Sequence, residues 1–148
     1  MRQRAPVFAN AMAVLFASVF AMTACAASTE PQGPSADVRG AWSYSGTQAS
    51  PVRELAGTLV VSAQVGADVS GSLSWEERDG LGGVISRSAP ISGRIIGMTD
   101  ADFDVMAPDA TRRHVARLSS NLDTLEGIWI ATTLGQNGSF KAVRSAVP

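Results

Sequence analysis

The sequence has almost none of the residues that build disulfides and metal centres. It contains one cysteine, Cys25, and one histidine, His114, among its 148 residues. A disulfide needs two cysteines, and a zinc site needs three or four cysteine, histidine or carboxylate ligands. We therefore expect no intramolecular disulfide, no nitrogen- or sulfur-rich metal site and no cofactor. The hydrophobic core must hold the domain together.

Positive charge is also scarce. The chain carries 12 basic and 13 acidic residues, a net charge of −1. Arg2 and Arg4 lie in a segment expected to be removed, and without them the balance is 10 to 13, or −3. Binding to nucleic acid depends on clustered lysine and arginine, so nucleic acid is excluded as a partner. The length predicts one domain.

Motifs for catalysis are absent too. No Gly-x-Ser-x-Gly elbow exists to present a nucleophile, and His114 is expected on a solvated face of a strand. The acidic segment Asp100–Asp104 resembles the start of a calcium loop, but Val105 stands where glycine is needed and Thr111 where the bidentate glutamate belongs. That segment is therefore expected to form a solvated acidic face. The sequence predicts a protein that is not an enzyme.

The N-terminus has the organisation of an export signal. Arg2 and Arg4 precede an 18-residue apolar stretch, residues 7–24, which ends in small residues. Residues 22–25, Met-Thr-Ala-Cys, resemble the bacterial lipobox, with methionine where leucine is usual. This resemblance implies that Cys25 is lipidated and becomes the new N-terminus. Two alternatives remain: an ordinary signal cut near residues 26–27, and an uncleaved membrane anchor.

The resemblance also predicts a cellular location. Ala26, rather than aspartate, follows the cysteine, and by analogy with lipoproteins of two-membrane bacteria this favours the outer membrane, on its periplasmic or surface face. Residues 26–38 contain two prolines, one glycine and no apolar periodicity. The predicted organisation is a signal peptide at 1–24, a lipidated cysteine and flexible tether at 25–38, and a β-domain at 39–148.

The mature domain has the pattern of an all-β protein. Val69, Leu73 and Trp75 alternate with polar residues at a period of two, which indicates a strand with one buried face. Turn residues separate this strand from similar segments. The pattern predicts about eight strands near residues 40–46, 55–65, 69–78, 83–98, 101–107, 113–119, 125–133 and 139–144.

Even spacing and short turns favour a small antiparallel up-and-down β-barrel. Closure into a barrel removes exposed sheet edges, which an all-β monomer must protect. Pro90 cannot donate to a strand ladder and marks an edge, a bulge or a break in the fourth strand. The alternative architecture is a two-sheet β-sandwich.

Three residues connect this pattern to a known family. Gly40-Ala41-Trp42 opens the first strand and Arg144 ends the last. They resemble the calycin pattern of lipocalins and avidins, in which a Gly-x-Trp starts the barrel and a late arginine covers that tryptophan at the closed end. The resemblance implies that Gly40, Trp42 and Arg144 close the barrel. The alternative is an ordinary core tryptophan and an ordinary surface arginine.

An eight-stranded barrel is filled by side chains or holds one small ligand. Candidate lining residues are the aromatics Tyr44, Trp75, Phe103 and Trp129. The predicted function is a non-enzymatic barrel of the cell envelope, joined to the membrane by a lipid anchor and binding a small apolar ligand in its mouth. The alternative is an envelope protein-interaction module or protease inhibitor, suggested by the tether and by the loops at 80–83 and 135–138. A core filled by its own side chains is the other alternative for these aromatics.

Overall fold

The computed structural model describes residues 35–145 as one closed eight-stranded barrel. The predicted signal peptide, Cys25 and the tether up to residue 34 lie outside the described residues. The strands are β1 Gly40–Gln48, β2 Arg53–Val65, β3 Asp68–Asp79, β4 Val84–Ile96, β5 Asp100–Met106, β6 Thr111–Leu118, β7 Thr124–Ala131 and β8 Gln136–Arg144, with one short 3₁₀ turn at Thr132–Leu134.

The strands follow an up-and-down order. Each strand pairs antiparallel with the next in sequence, and β1 pairs with β8 to close the ring. The predicted all-β barrel is confirmed, and the sandwich alternative is wrong because one continuous sheet surrounds one core. In β3, Val69, Leu73 and Trp75 all face inward, as their period of two predicts.

Pro90 does not interrupt β4. It lies within the strand, opposite Ser72 of β3. The ladder between β4 and β5 begins only at Ile91, which pairs with Val105. Pro90 thus lies at the end of that ladder, in agreement with the edge alternative. The bulge and break alternatives are wrong, because the register between β3 and β4 continues through Pro90 without a shift.

The barrel has two chemically different ends, named here after one residue of each. The Trp42 end carries the N-terminal segment 35–39 and the connections at 66–67, 97–99 and 119–123. The Arg112 end carries the connections at 49–52, 80–83, 107–110 and 132–135.

Arg144 covers the indole of Trp42 at the Trp42 end. The two residues are partners in the β1–β8 ladder, and the guanidinium carbon lies 4.5 Å from the ring centroid. Such a cation–π contact stabilises by roughly 0.5–2 kcal/mol, depending on desolvation. Gly40 has φ +124°, which favours glycine there. The guanidinium nitrogens also donate to the main-chain carbonyls of Asp37, Arg39 and Leu122.

The segment before β1 is part of the packed structure. Ala36 and Val38 are buried in the core, and the carbonyl of Val38 accepts a hydrogen bond of 3.0 Å from the indole N–H of Trp42. The amide of Ala36 donates to the carbonyl of Gly97. Residues 36–38, which the sequence placed in the tether, therefore belong to the folded barrel.

Gly138 allows β1 and β7 to meet closely across β8. A Cβ atom at this position would lie 1.7 Å from the carbonyl oxygen of Thr47, and that oxygen accepts a 3.2 Å hydrogen bond from the indole of Trp129. We expect Gly138→Ala to lower the free energy of unfolding by about 1–3 kcal/mol, because the backbone must shift. Urea denaturation measures this. Gly80→Ala, which has nothing within 4 Å, is the matched control; equal losses in both variants would contradict the close-approach explanation.

Candidate ligand-binding end of the barrel

An aromatic cluster fills the middle of the barrel. Phe103 stacks on His114 at 4.9 Å between ring centroids, and Tyr44 stacks on Phe140 at 5.6 Å. His114 and Phe140 meet edge to face at 4.8 Å. All four side chains are buried. Offset-stacked and edge-to-face contacts at these distances add to the stability gained by burial.

The expectation that His114 lies on a solvated strand face is wrong. Its side chain is 1% exposed. The reason is the alternation of β6: Ala116 and Leu118 face the core, so Arg112 and His114, which share their phase, must face it too. The polar residues of β6 are therefore split between the two faces of the sheet.

Hydrogen bonds define the state of the His114 imidazole. Nδ1 lies 3.0 Å from the carbonyl oxygen of Arg112, and Nε2 lies 3.2 Å from the Tyr44 hydroxyl. A carbonyl only accepts, so Nδ1 carries the proton and Nε2 accepts from Tyr44. Burial, with a smaller contribution from the Arg112 charge, lowers the pKa of His114 to about 4. Burial also raises the pKa of Tyr44, although Arg112 opposes this shift. Both groups are neutral at pH 7.

The next layer toward the Arg112 end contains two indoles with a guanidinium between them. The guanidinium carbon of Arg112 lies 5.4 Å from the ring centroid of Trp75 and 6.0 Å from that of Trp129. All three residues are at least 95% buried. Arg112 therefore occupies the space between two of the aromatics that the sequence nominated to line a ligand.

Glu77 is the counter-ion of this layer. Its carboxylate oxygens lie 2.7 Å from Arg53, 2.8 Å from Arg87 and 3.5 Å from Arg112. It also accepts a 3.1 Å hydrogen bond from the indole N–H of Trp75. A carboxylate with 3% exposure is tolerated in a barrel only when it is paired and hydrogen-bonded in this way.

Asp109 is the second carboxylate in this group of ion pairs. It lies 2.9 Å from Arg112 and 3.1 Å from Arg87, and the hydrogen bond from Arg112 is the main cause that lowers the pKa of Asp109. We call the five side chains of Arg53, Arg87, Arg112, Glu77 and Asp109 the arginine layer. The layer lies across the Arg112 end of the barrel.

Sequence reasoning missed the arginine layer, although part of its signal was present. Glu77 follows Val69, Leu73 and Trp75 in the same period of two, and this places its side chain inside the barrel. The run of four charged residues at 76–79 instead favours a solvated strand end. Arg112 has the same inward phase as Ala116. The alternation of buried and exposed residues in β3 and β6 predicts that Glu77 and Arg112 face inward, but it does not predict that they form an ion pair.

The structure places the four aromatics that were predicted to line a ligand site in two separate pairs inside the core. Tyr44 and Phe103 lie in the middle of the barrel, and Trp75 and Trp129 lie beside the arginine layer. All four are at least 96% buried and pack against other side chains. A groove of about 760 Å³ lies on the outside wall instead, over Gly46 and Gly127.

The acidic residues of β5 face outward, as predicted. Phe103 and Val105 point into the core, while Asp102 forms an ion pair with Arg113 of β6. Over residues 35–145, the structure shows no group of three or more potential metal ligands. Within the same range, no helix is both long and apolar enough to cross a membrane.

Comparison with known proteins gives structural neighbours and no family. No protein-family model matches the chain, and no curated protein matches it. A de novo designed fluorescence-activating β-barrel is 15% identical, with a TM-score of 0.51, over 72% of this chain and 93% of its own. A structure of EF1p2_mFAP2b bound to DFHBI is 10% identical, with a TM-score of 0.55, over 73% of this chain and 94% of its own. These likenesses show the fold alone.

Proposed function

We propose that the protein is a lipid-anchored protein of the bacterial cell envelope whose non-enzymatic barrel binds a small, largely apolar ligand at the Arg112 end. The observation that carries this proposal is the composition of that end. The two indoles of Trp75 and Trp129 lie beside Arg112 just inside that end, and exposed apolar side chains lie in its connections and at the start of β4. A ligand site typically combines apolar walls with a few polar groups that fix orientation.

Exposed apolar side chains form a fringe around the Arg112 end. We define the apolar fringe as Val52, Leu81, Ile85 and Leu134, which come from the connections between β1 and β2, β3 and β4, and β7 and β8 or from the adjoining start of β4. Leu81 is 98% exposed and Val52 is 77% exposed. Solvent-exposed apolar residues scattered singly are ordinary, but exposed apolar side chains grouped in one region are typical of an interaction or binding site.

The structural neighbours support a small-molecule ligand. One is described as a fluorescence-activating barrel and the other is bound to DFHBI, so barrels of this fold can hold a small molecule. The buried state of His114 supports a non-enzymatic role. Both of its ring nitrogens are engaged within the core, and it is the chain's one histidine, so it is not placed to activate a nucleophile or a water molecule.

The position of the N-terminal segment supports a ligand site directed away from the anchor. Residues 35–39 lie at the Trp42 end, which is opposite the Arg112 end. Residues 25–34 would connect that end to a lipid on Cys25, and ten extended residues span at most about 33–36 Å. Such an anchor would leave the Arg112 end turned toward the surrounding compartment rather than toward the anchoring bilayer.

Mass spectrometry of the mature N-terminus tests the anchor. We expect the protein purified from membranes to begin at Cys25 and to carry acyl chains, since stable anchoring requires more than one chain. Cys25→Ser should release the protein into the soluble fraction or leave its precursor unprocessed. An unmodified N-terminus at residue 26 or 27 would contradict the lipid anchor and would leave the ligand site as a separate question.

Titration with a hydrophobic probe, followed by tryptophan emission, tests the ligand site. We expect a saturable change in emission, because Trp75 and Trp129 lie against Arg112 at the proposed binding end. Trp129→Phe should reduce that change by about half if the two indoles report equally. Trp42→Phe, at the opposite end, is the matched control and should leave it intact. A signal lost with Trp42 instead would place binding elsewhere.

A second candidate function is a protein-interaction module or protease inhibitor of the envelope. One observation favours it: Val115, Ile128 and Ile130 are between 44% and 53% exposed and lie side by side on the outer face of β6 and β7. Crosslinking in intact envelopes tests this candidate. Recovery of one defined partner that Ile128→Glu abolishes would support it, and the absence of any crosslinked partner would count against it.

A further inference from the structure

The arginine layer contains more positive than negative charge. Three guanidinium groups face two carboxylates, Glu77 and Asp109, within one set of ion pairs. Arg112 is 4% exposed, and the side chains of Arg53 and Arg87 are 23% and 25% exposed. Every guanidinium is paired, but the layer as a whole carries a net charge of +1, in a region where water screens charge poorly.

In the part of the chain that the structure describes, three buried polar atoms at this end also make no hydrogen bond. Nε of Arg87 lies in the ion pair with Glu77, and the other two are Nε of Arg53, a donor, and Oε1 of Gln136, an acceptor. Both residues begin strands at the Arg112 end, and both have the inward phase of their strand. A buried polar atom without a partner costs free energy, so a bound ligand that supplied an acceptor to Arg53 would remove that cost.

Asp79 is another acidic residue at this end, and it lies outside the arginine layer. Asp79 is the ladder partner of Arg53 but is exposed to solvent. Its Oδ1 atom accepts hydrogen bonds of 3.0 and 2.6 Å from the amides of Leu81 and Gly83. The carboxylate of Asp79 is thereby held on the loop 80–83, and no ion pair joins it to Arg53 among the described residues.

We infer that the ligand carries one carboxylate, which binds the arginine layer beside Arg53, while its apolar body lies on the apolar fringe. This inference rests on the proposed function and names the chemical class of the ligand. A guanidinium presents two parallel N–H donors that match a carboxylate. A carboxylate carries the single negative charge that the layer lacks. A phosphate monoester carries about 1.5 to 2 negative charges at pH 7 and would reverse the imbalance.

Isothermal titration calorimetry with decanoate and decanol, both below their aggregation concentrations, tests the inference. The two probes share an apolar chain and differ in the charged head. We expect decanoate to bind about 10- to 100-fold more tightly, since a hydrogen bond to a charged group contributes about 1.5–3 kcal/mol. Arg53→Gln should reduce that preference to less than about threefold. This variant keeps Glu77 paired with Arg87 and Arg112, so it should fold, and circular dichroism checks that it does.

The matched control is Arg117→Gln, which removes the same charge from an outward-facing side chain that is 88% exposed. It should leave the decanoate preference unchanged. Equal weakening by Arg117→Gln and Arg53→Gln would overturn the inference, because overall charge would then explain binding. Equal affinity of the wild-type protein for decanoate and decanol would overturn the inference that the ligand carries a carboxylate, but it would still agree with the proposed ligand site. Failure of both probes, together with no response to the hydrophobic probe, would overturn the inference and the proposed function alike.

Discussion

Replacing Glu77 with glutamine should lower the free energy of unfolding by about 3–5 kcal/mol. Glu77 is 3% exposed and pairs with Arg53, Arg87 and Arg112. Glutamine keeps the shape of the side chain but removes the negative charge, so three guanidinium groups would share Asp109 alone. A single domain is stable by only about 5–15 kcal/mol, so the loss should be visible as a large shift of the urea midpoint.

Glu76 provides the matched control for this experiment. It is the adjacent residue, but it points outward, where its side chain is 44% exposed and pairs with Arg78. An exposed ion pair contributes about 0–1 kcal/mol, so Glu76→Gln should change stability little. If the two variants were equally stable, Glu77 would not be the residue that holds the arginine layer together.

Acidification should destabilise the barrel by about 3 kcal/mol between pH 6.5 and pH 4. The cause is His114, whose pKa falls from 6.5 to about 4 when burial excludes water from the ring. Below pH 6.5 the unfolded chain binds a proton that the folded chain does not, so stability falls with pH. Below about pH 4, His114 is protonated in the folded state too, so it causes no further loss of stability.

Unfolding in urea at pH 7.5, 5.5 and 4.5 measures this dependence. His114→Gln removes the titrating group, and its stability should change much less over the same range. Paired carboxylates such as Asp109 lose their contribution only at lower pH, because the pKa of Asp109 in the folded state is already below its ordinary value. Parallel curves for the wild-type protein and the variant would show that His114 is not the source.

The sequence contained enough information to predict the strands and most of their faces. Alternation in β3 placed Val69, Leu73 and Trp75 inside, and short turn clusters located the connections. These features are local: each depends on residues within about ten positions along the chain. For Pro90, the sequence left three alternatives, an edge, a bulge or a break, because a missing N–H is a property of the residue itself; the structure selects the edge.

The arginine layer could not be derived in the same way. Its central contact joins Glu77 of β3 to Arg112 of β6, strands that are not neighbours in the sheet and that meet only across the barrel interior. Periodicity can give the face of each residue, but it does not give which side chains meet across the interior. His114 was assigned to the solvent for a related reason: its neighbours Arg112 and Arg113 made β6 look polar, although the two arginines lie on opposite faces.

Arg112 also changes how the predicted aromatic site is interpreted. Trp75 and Trp129 were nominated as walls of a cavity, and they are the walls of a space that holds a guanidinium. The Arg112 side chain fills this space and places its charged guanidinium group between the two indoles. The proposed ligand therefore lies above the arginine layer, where the apolar fringe is exposed, rather than among the aromatics of the core.

The closing ladder between β1 and β8 has a consequence for how the chain reaches its native state. Within residues 35–145, seven of the eight strand pairs join sequence neighbours, and only this pair joins the two ends. Neighbouring strands can associate early, at a small cost in loop entropy, whereas ring closure must wait for nearly the whole chain. Until β8 has paired with β1, a partly folded chain leaves both outer strands free to associate with other chains. Closure of the barrel by β1 and β8 should therefore be the slowest step of folding and the one most prone to aggregation.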